Sequence, residues 1–466
     1  GVNIVVTGTT TGTTSDASGK YALEVPNASV SLQFSFIGYL TLEIAVGGQT
    51  KLNVSLISDL AQLSEVVVVG YGKQKKTSIT SAVSTMQVQE RGSTTIANLG
   101  SGLGGRMSGI IFKQGSGETG RDAASIYIRG ISSTGSNQPL VVVDGSARDY
   151  QNLDPNSIET ITVLKDAAAV APYGVAGANG VLLVTTKRGK TGAPTMTYNG
   201  FVGFQNPTIL PDYINSYQFA TLRNAASINE GNTPGYSDNA LQKYKDGSDP
   251  DVYANSNALK ELVQKNTLLS SHNIEISGGT DLIKYYASLG YLDEAGIWEP
   301  TYQKRYNLNL KLDAQVTKTM KVSFAFNGRQ QKNAYPNVGT GRIFELMKYV
   351  LPINPVRYSN GLNAAFPYGS LYESGYSTGN TSQIYTQLSV EQEVPFIKGL
   401  NILGTVAFDP TFNLSKTWVT PIHMWSIDAT KTPYQYTDGI FGQTKRKRLC
   451  EIAWCLIYGW VSWNDV

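Results

Sequence analysis

Two cysteines, two histidines and 16% charged residues are few for a chain of 466 residues. Cys450 and Cys455 both stand near the C-terminal end of the sequence, so neither a disulfide framework nor a four-cysteine zinc site can be assembled. His272 and His423 add too little for metal chemistry, and no metal or cofactor is expected. No stretch reaches the ~18 apolar residues that a spanning helix needs; the nearest, residues 449–461, is interrupted by Glu451. A membrane role would have to use strands. The net charge is only +3, with lysines and arginines scattered along the chain, which excludes nucleic acid as a partner. The chain opens at Gly1 inside an apolar alternation without a signal-peptide pattern, and reads as a fragment whose N-terminus lies upstream.

What is abundant points to strands and tight turns: 47 glycines and 27 tyrosines. Residues 1–57 alternate with period two: Val30, Leu32, Phe34 and Phe36 face one way, and Ser29, Ser31, Gln33 and Ser35 the other. Turn signals at residues 16–19, 26–27 and 47–48 space the runs as in a small β-sandwich, an adaptor without a catalytic constellation. Residues 58–89 form a linker holding Glu65, Val66, Val67, Val68 and Val69, then a basic patch of Lys73, Lys75 and Lys76. Two readings of the valine run stay open. It closes the sandwich, or it offers its backbone to another protein's sheet edge, where main-chain hydrogen bonds supply affinity.

Residues 90–190 read as α+β, with strands at 109–113, 125–129, 140–143, 158–165 and 181–187 and short helices at 98–106 and 166–171. Beyond Pro194 the texture changes: 21 of the 27 tyrosines follow residue 194, and all six tryptophans lie at Trp298 or later. Tyr306, Leu308, Leu310 and Leu312 alternate with Arg305, Asn307, Asn309, Lys311 and Asp313, and Met320, Val322, Phe324 and Phe326 repeat the pattern. Strands of eight or nine residues approach the ~9–11 that a tilted strand needs to cross a bilayer, and aromatic loading is a mark of outer-membrane barrels. A soluble sandwich gives the same alternation with the faces exchanged.

Other motifs dissolve on inspection. Gly115, Gly117 and Gly120 fit G-x-G-x-x-G, but the following Ala123 to Arg129 stretch is a strand pattern where a dinucleotide site needs a helix. Gly189-Lys190-Thr191 imitates the end of a P-loop, yet Val184 stands where its first glycine belongs. Asp246, Asp249 and Asp251 lack the closing bidentate glutamate of a calcium loop and read as a solvated turn. His272 reads as a packed or interfacial side chain, and His423 has no recognisable nucleophile partner. Arg129, Asp144, Lys165 and Asp166 read as hydrogen-bonded pairs that fix the middle domain, or as parts of a movable gate.

Taken in order, several stretches resemble the SusC/RagA-type TonB-dependent outer-membrane transporters. "GVNIVVTGTTTGTTSDASGKYAL" with "FSFIGY" is similar to a carboxypeptidase-regulatory-like domain, and "LSEVVVVGYGKQKK" to the segment after it. "GRMSGI", "IYIRGI", "PLVVVDG", "IETITVLKDAAA" and "GANGVLLVTTKRGK" look like the plug. "ISGGTDLIKYYASLGYLDEAGI" and "QKRYNLNLKLD" look like the first barrel hairpins. The chain departs from the family's pattern at Pro172 and Ala176. The resemblance implies a mainly β chain: a small N-terminal sandwich over 1–57, a TonB-interacting segment at 65–69, an α+β plug over 90–190 and an incomplete antiparallel transmembrane barrel over 195–412. The final 443–466 stretch looks like an atypical tail, the product of a reading-frame or assembly artefact. The resemblance further implies import rather than enzymatic activity, and a place in the bacterial outer membrane among its lipids. Its partners would be TonB with ExbB and ExbD, a SusD-like surface lipoprotein, and a glycan or peptide substrate. Gly177, Asn179 and Gly180 would join Arg129, Asp144, Lys165 and Asp166 as structural or gating positions of the plug. The competing class is a secreted or surface-anchored soluble β-rich carbohydrate-binding or adhesion protein.

Overall fold

The computed structural model describes residues 2–56 (without 8, 10, 17, 18, 28, 37, 38 and 40), 83–87 and 104–441 (without 132, 151, 152 and 398), together with the backbone of 66–69, 72–75 and 447–454. Glu65, most of the expected 98–106 helix and residues 455–466 lie outside the described residues. The N-terminal part carries β1 (Asn3–Val6), β2 (Gly12–Thr14), β3 (Ser31–Ser35), β4 (Leu42–Ala45), β5 (Val66–Val69) and β6 (Gly72–Lys75). The plug region follows with β7 (Val83–Gln87), β8 (Ile110–Gln114), β9 (Ala124–Ile128), β10 (Leu140–Val143), β11 (Ser146–Ala147), β12 (Ile158–Leu164), α1 (Ala167–Val170), a 3₁₀ stretch (Ala171–Gly177) and β13 (Val181–Thr186). The chain packs as two compact units, residues 1–85 with 162–183 and residues 86–161 with 184–466.

In the first unit, β1 to β4 form an antiparallel sheet in the order β2-β1-β3-β4. Alternation along β3 sends Leu32 and Phe34 to one face, where they form a core with Ile4, Val6 and Val46. The second layer of the expected sandwich is only half made. Tyr21, Leu23 and Val25, and Leu52, Val54 and Leu56, pack on that core from extended segments outside any named strand. The Tyr21 hydroxyl donates to the Leu52 carbonyl at 2.9 Å, and its ring meets Phe34 edge-on. Burial without a ladder is what two segments reach when side chains, not backbone groups, make the contact. β5 and β6 form a separate hairpin, Val67 opposite Gln74.

The second unit holds the β8–β9 and β10–β11 hairpins and a long antiparallel sheet. Its strands are β14 (Gly192–Gln205), β15 (Thr267–Gly279), β16 (Ile283–Ala295), β17 (Tyr302–Gln315), β18 (Met320–Pro336), β19 (Gly375–Glu393), β20 (Asn401–Phe408) and β21 (Thr411–Val419). A hairpin of β22 (Ile422–Asp428) and β23 (Gln435–Phe441) follows, then β24 (Lys447–Trp454). The sheet order is β14-β15-β16-β17-β18-β19-β21-β24, with β20 also paired to β19. The backbone of 447–454 thus extends the sheet where the sequence reads as an atypical tail. β15 to β19 run 13, 13, 14, 17 and 19 residues, longer than the eight or nine that the apolar alternation marks. The ladder continues through polar stretches such as Gln330 to Asn333, because backbone pairing does not require alternating side chains.

Successive connections fall at opposite rims, and the two long ones share a rim. Residues 280–282, 316–319 and 394–400 make short turns at one rim, whereas 206–266, 296–301 and 337–374 gather at the other. The long connections fold into helices: α2 (Ser216–Asn229), α3 (Asp238–Asp246), α4 (Ala258–Leu262), α5 (Thr340–Lys348) and α6 (Phe366–Tyr372). α2 starts on a capping box, in which Asn215 accepts from the Gln218 N–H and Gln218 accepts from the Asn215 N–H. α3 stops at Gly247, whose φ of 71° only glycine adopts freely. Leu259 and Leu262 of α4, Ile343 and Met347 of α5, Leu371 of α6, Val356 and Trp298 share one core, so the long loops make a single cap on their rim.

Candidate functional site

The wall of this sheet is covered on its polar side. Along β17, Tyr302, Tyr306, Leu310 and Leu312 are exposed, while Gln303, Arg305, Asn307, Asn309, Lys311 and Asp313 are all below 8% exposure. A soluble sandwich has the opposite arrangement, since water takes the polar face and the core the apolar one. Exposed apolar and covered polar faces belong to a wall that meets lipid outside and packs against protein inside. Buried charges must find partners, because desolvation costs several kcal/mol for each ion left alone.

Segments of the plug region within the same unit supply those partners. Lys187 Nζ lies 2.8 Å from Glu275 on β15, which also accepts from the Tyr286 hydroxyl at 3.1 Å. Arg188 pairs with Asp313 at 2.9 Å, and Ser323 and Lys321 approach the same carboxylate oxygen. Gly189 passes so close to β16 that a Cβ would sit 2.4 Å from the Tyr285 nitrogen. That approach, not a phosphate cradle, accounts for the glycine in the false P-loop. Further along, Arg148 grips Asp409 with two bonds of 2.8 and 2.9 Å, and its guanidinium lies 5.1 Å from the Tyr385 ring centre.

Asp144 is the hub. It closes β10 with φ at 49°, a left-handed conformation that aspartate tolerates better than most residues. Its N–H donates to the Val184 carbonyl at 3.0 Å, and its carboxylate accepts from the Thr186 N–H at 3.0 Å and from the Thr186 hydroxyl. Lys311 Nζ, on β17, lies 3.2 Å from that carboxylate and also donates to Thr186. The Asp144 carbonyl accepts from Gln387 on β19 at 3.0 Å, and Ser146 donates to the same glutamine at 3.1 Å. Burial alone would raise the Asp144 carboxyl pKa, but Lys311, Arg188 and the Thr186 donors outweigh it and hold the group below the usual carboxylate range.

The other expected positions make bonds of their own. Arg129 ends β9 with φ at 59°, its N–H donating to Gly109. Lys165 and Asp166 belong to the other unit, where Lys165 donates to Ser84 at 2.6 Å and the Asp166 carbonyl starts α1 by accepting from Ala169 and Val170. In "GANG", a Cβ on Gly177 would meet Tyr173, Val181 and Val170 at 3.2–3.3 Å, and Gly180 has φ at 88° with its N–H on the Gly177 carbonyl. Asn179 follows the 3₁₀ stretch, and Pro172 and Ala176 are exposed on it. Val66 to Val69 lie in β5, in a two-stranded sheet that, among the described residues, leaves one edge of β5 without a paired strand. The acidic turn has separate duties: Asp246 accepts from the Ser248 N–H, Asp249 from the Tyr434 hydroxyl, and Asp251 from Ser359 and Tyr436. His272 bonds to the Tyr198 hydroxyl at 2.7 Å across neighbouring strands, as an interfacial side chain would. Sequence reasoning missed Lys187, Arg188, Arg148 and Gln387. The available signal was the row of charges on the leucine-free face of β17, which demands opposite charges elsewhere.

Residues 1–69 match the CarboxypepD_reg-like domain and residues 73–181 the TonB-dependent Receptor Plug Domain. The chain is 35% identical over 335 residues to TonB-dependent receptor P3 of Formosa agariphila, covering 72% of this chain and 31% of that protein. It is 32% identical over 375 residues to TonB-dependent receptor SusC of Bacteroides thetaiotaomicron, covering 77% and 35%. The chain thus spans about a third of the length of the curated relatives it matches. Its fold is similar to that in the structure of the RagAB peptide importer in the 'open-open' state, with a TM-score of 0.63 at 24% identity, over 77% of this chain and 43% of that one. With its CarboxypepD_reg-like domain, its plug and a partial barrel wall whose polar face is covered, the chain belongs to the SusC/RagA-type TonB-dependent receptors.

Proposed function

We propose that the full-length receptor actively imports an oligosaccharide or peptide through a plug-gated barrel, driven by TonB with ExbB and ExbD and fed by a SusD-like surface lipoprotein. Receptors of this family reside in the bacterial outer membrane and are transporters, not enzymes. The observation that carries the reading is the clamp itself. Asp144, Lys187 and Arg188 tie plug segments to Lys311, Glu275 and Asp313 on the covered face of a wall whose other face is apolar, and Arg148 adds a tie to Asp409 between β20 and β21. Such a lumen is blocked, and an outer membrane offers no nucleotide to unblock it, so work must arrive mechanically. Residues 65–69 are the proposed handle: the edge of β5 that pairs with no other strand among the described residues can take a partner's strand through main-chain hydrogen bonds.

Val67→Pro in the full-length receptor tests this, because proline removes a ladder donor. Uptake by cells carrying the variant should disappear while the amount inserted in the outer membrane stays at the wild-type level. Wild-type uptake would sink the handle, and loss of folding would return the valine run to a structural strand.

A further inference from the structure

The G-x-G-x-x-G stretch at 115–120 lies outside the ion pairs that tie the plug to the wall. It is the turn of the β8–β9 hairpin, in which Gln114 faces Ala124. The turn is self-supporting: the Glu118 N–H donates to Ser116 at 3.0 Å, and the Arg121 N–H to the Glu118 carbonyl at 2.9 Å. Its polar groups are spent outward, on the cap and on β18. Thr340, the first residue of α5, donates its hydroxyl to Glu118 Oε1 at 2.5 Å. The Tyr335 hydroxyl donates to the Thr119 carbonyl at 3.0 Å, and the Arg121 guanidinium lies 4.1 Å from the centre of the Tyr335 ring and 3.7 Å from Glu118.

The seat is tight. Gly120 has φ at 74°, and a Cβ there would lie 2.8 Å from the Tyr335 hydroxyl, 2.9 Å from Gln303 and 3.2 Å from Asn333. Thr119, Tyr335 and Thr340 are all buried. Thr340 stands one helical turn from Ile343, which is fully buried in the cap core beside Trp298 and Leu371. The hydroxyl that holds Glu118 is therefore fixed to the packed body of the cap, and neither side of the contact can move without straining or breaking a charge-assisted bond.

We propose that the 115–121 turn is a latch between plug and cap, in which Glu118 and Arg121 are positioning residues that keep α5 and the β8–β9 hairpin in register. A displacement of the hairpin frees the cap, and a displacement of the cap frees the hairpin, because coupling between two sites is reciprocal. This inference rests on the import reading for its purpose, though not for its contacts.

The test uses the full-length receptor with Cys450→Ser and Cys455→Ser, and Glu118→Cys with Thr340→Cys bridged in intact cells by a short bis-methanethiosulfonate. Uptake of two fluorescent probes is followed, a neutral oligosaccharide mixture and a tryptic peptide digest. Bridging should slow uptake at least about ten-fold, with recovery when dithiothreitol removes the bridge; uptake unchanged by the bridge would overturn the latch. A second measurement does not depend on transport. In the purified receptor, Thr340→Val should speed amide exchange several-fold in β8 and β9, and Glu118→Ala should do so in α5. Effects confined to the substituted element would overturn the latch even if the cysteine pair failed to fold. Absence of uptake by the wild type as well would count against import and leave the exchange result to decide the latch.

Discussion

At Asp144 the backbone and the charge make separate demands that one residue type meets. The left-handed φ of 49° favours Asp, Asn or Gly, and Lys311, fully enclosed, requires an anion within reach. Asp144→Asn keeps the first and deletes the second, leaving an ammonium without its counter-charge. We expect a loss of about 3–5 kcal/mol, read as lowered resistance of the full-length receptor to denaturant, with outer-membrane targeting unaffected. The pH dependence follows from the depressed carboxyl pKa. The folded state holds this proton less tightly than the unfolded chain does, so the stabilisation is complete above the unfolded value of about 3.9 and fades as pH falls through the lower folded one. The gap in stability between wild type and Asp144→Asn should therefore be constant from neutral pH to about pH 5 and close in more acidic solution. A gap that widened on acidification would show that the carboxylate is not the stabilised form.

At the scale of one strand, β17 states the environment on both its faces. Leu310 is 40% exposed and its neighbours Asn309 and Lys311 are buried. Leu310→Arg should cost about 2–4 kcal/mol if that face meets the bilayer midplane, seen as impaired assembly of the full-length receptor into membranes; in water the same change would be close to neutral. The alternation that underlies this prediction is legible in the sequence, since Tyr306 to Leu312 and Arg305 to Asp313 separate cleanly by parity. Which parity is covered is not legible, because both environments want one apolar and one polar face. The pairing of Lys311 with Asp144 is equally hidden. They stand 167 residues apart, and only packing of the hairpin against the wall sets their register. His272 shows the reverse case, where a polar residue amid Ile274 and Ile276 looks anomalous until Tyr198 on the adjoining strand takes its ring nitrogen. The glycine motifs misled for a shared reason. Glycine serves any close backbone approach, and Gly120 against Tyr335 or Gly189 against Tyr285 needs it as much as a phosphate would.

For the molecule as a whole, the outer surface of the sheet and its end strands decide behaviour in solution. Leu289, Leu310, Phe324, Leu388 and Val406 all lie exposed, on consecutive strands. β14 stands at one end of the sheet order, with no further strand paired to its outer edge among the described residues. Its N–H and C=O groups cannot go unpaired in hydrocarbon, where each costs several kcal/mol, so the wall needs additional strands to cross a bilayer as a closed barrel. The curated relatives are about three times the length matched here, long enough to supply such strands. Expressed without them, the 466 residues present both an apolar face and a raw strand edge, the two features that drive edge-to-edge association. The expected outcome is recovery in inclusion bodies and, after refolding, strict dependence on detergent or lipid. Sedimentation in the presence and absence of a mild detergent, with amide exchange across 305–327, measures both. A monodisperse, detergent-free monomer with those amides protected would mean that water covers the leucine face after all, and would move the chain to the soluble carbohydrate-binding class.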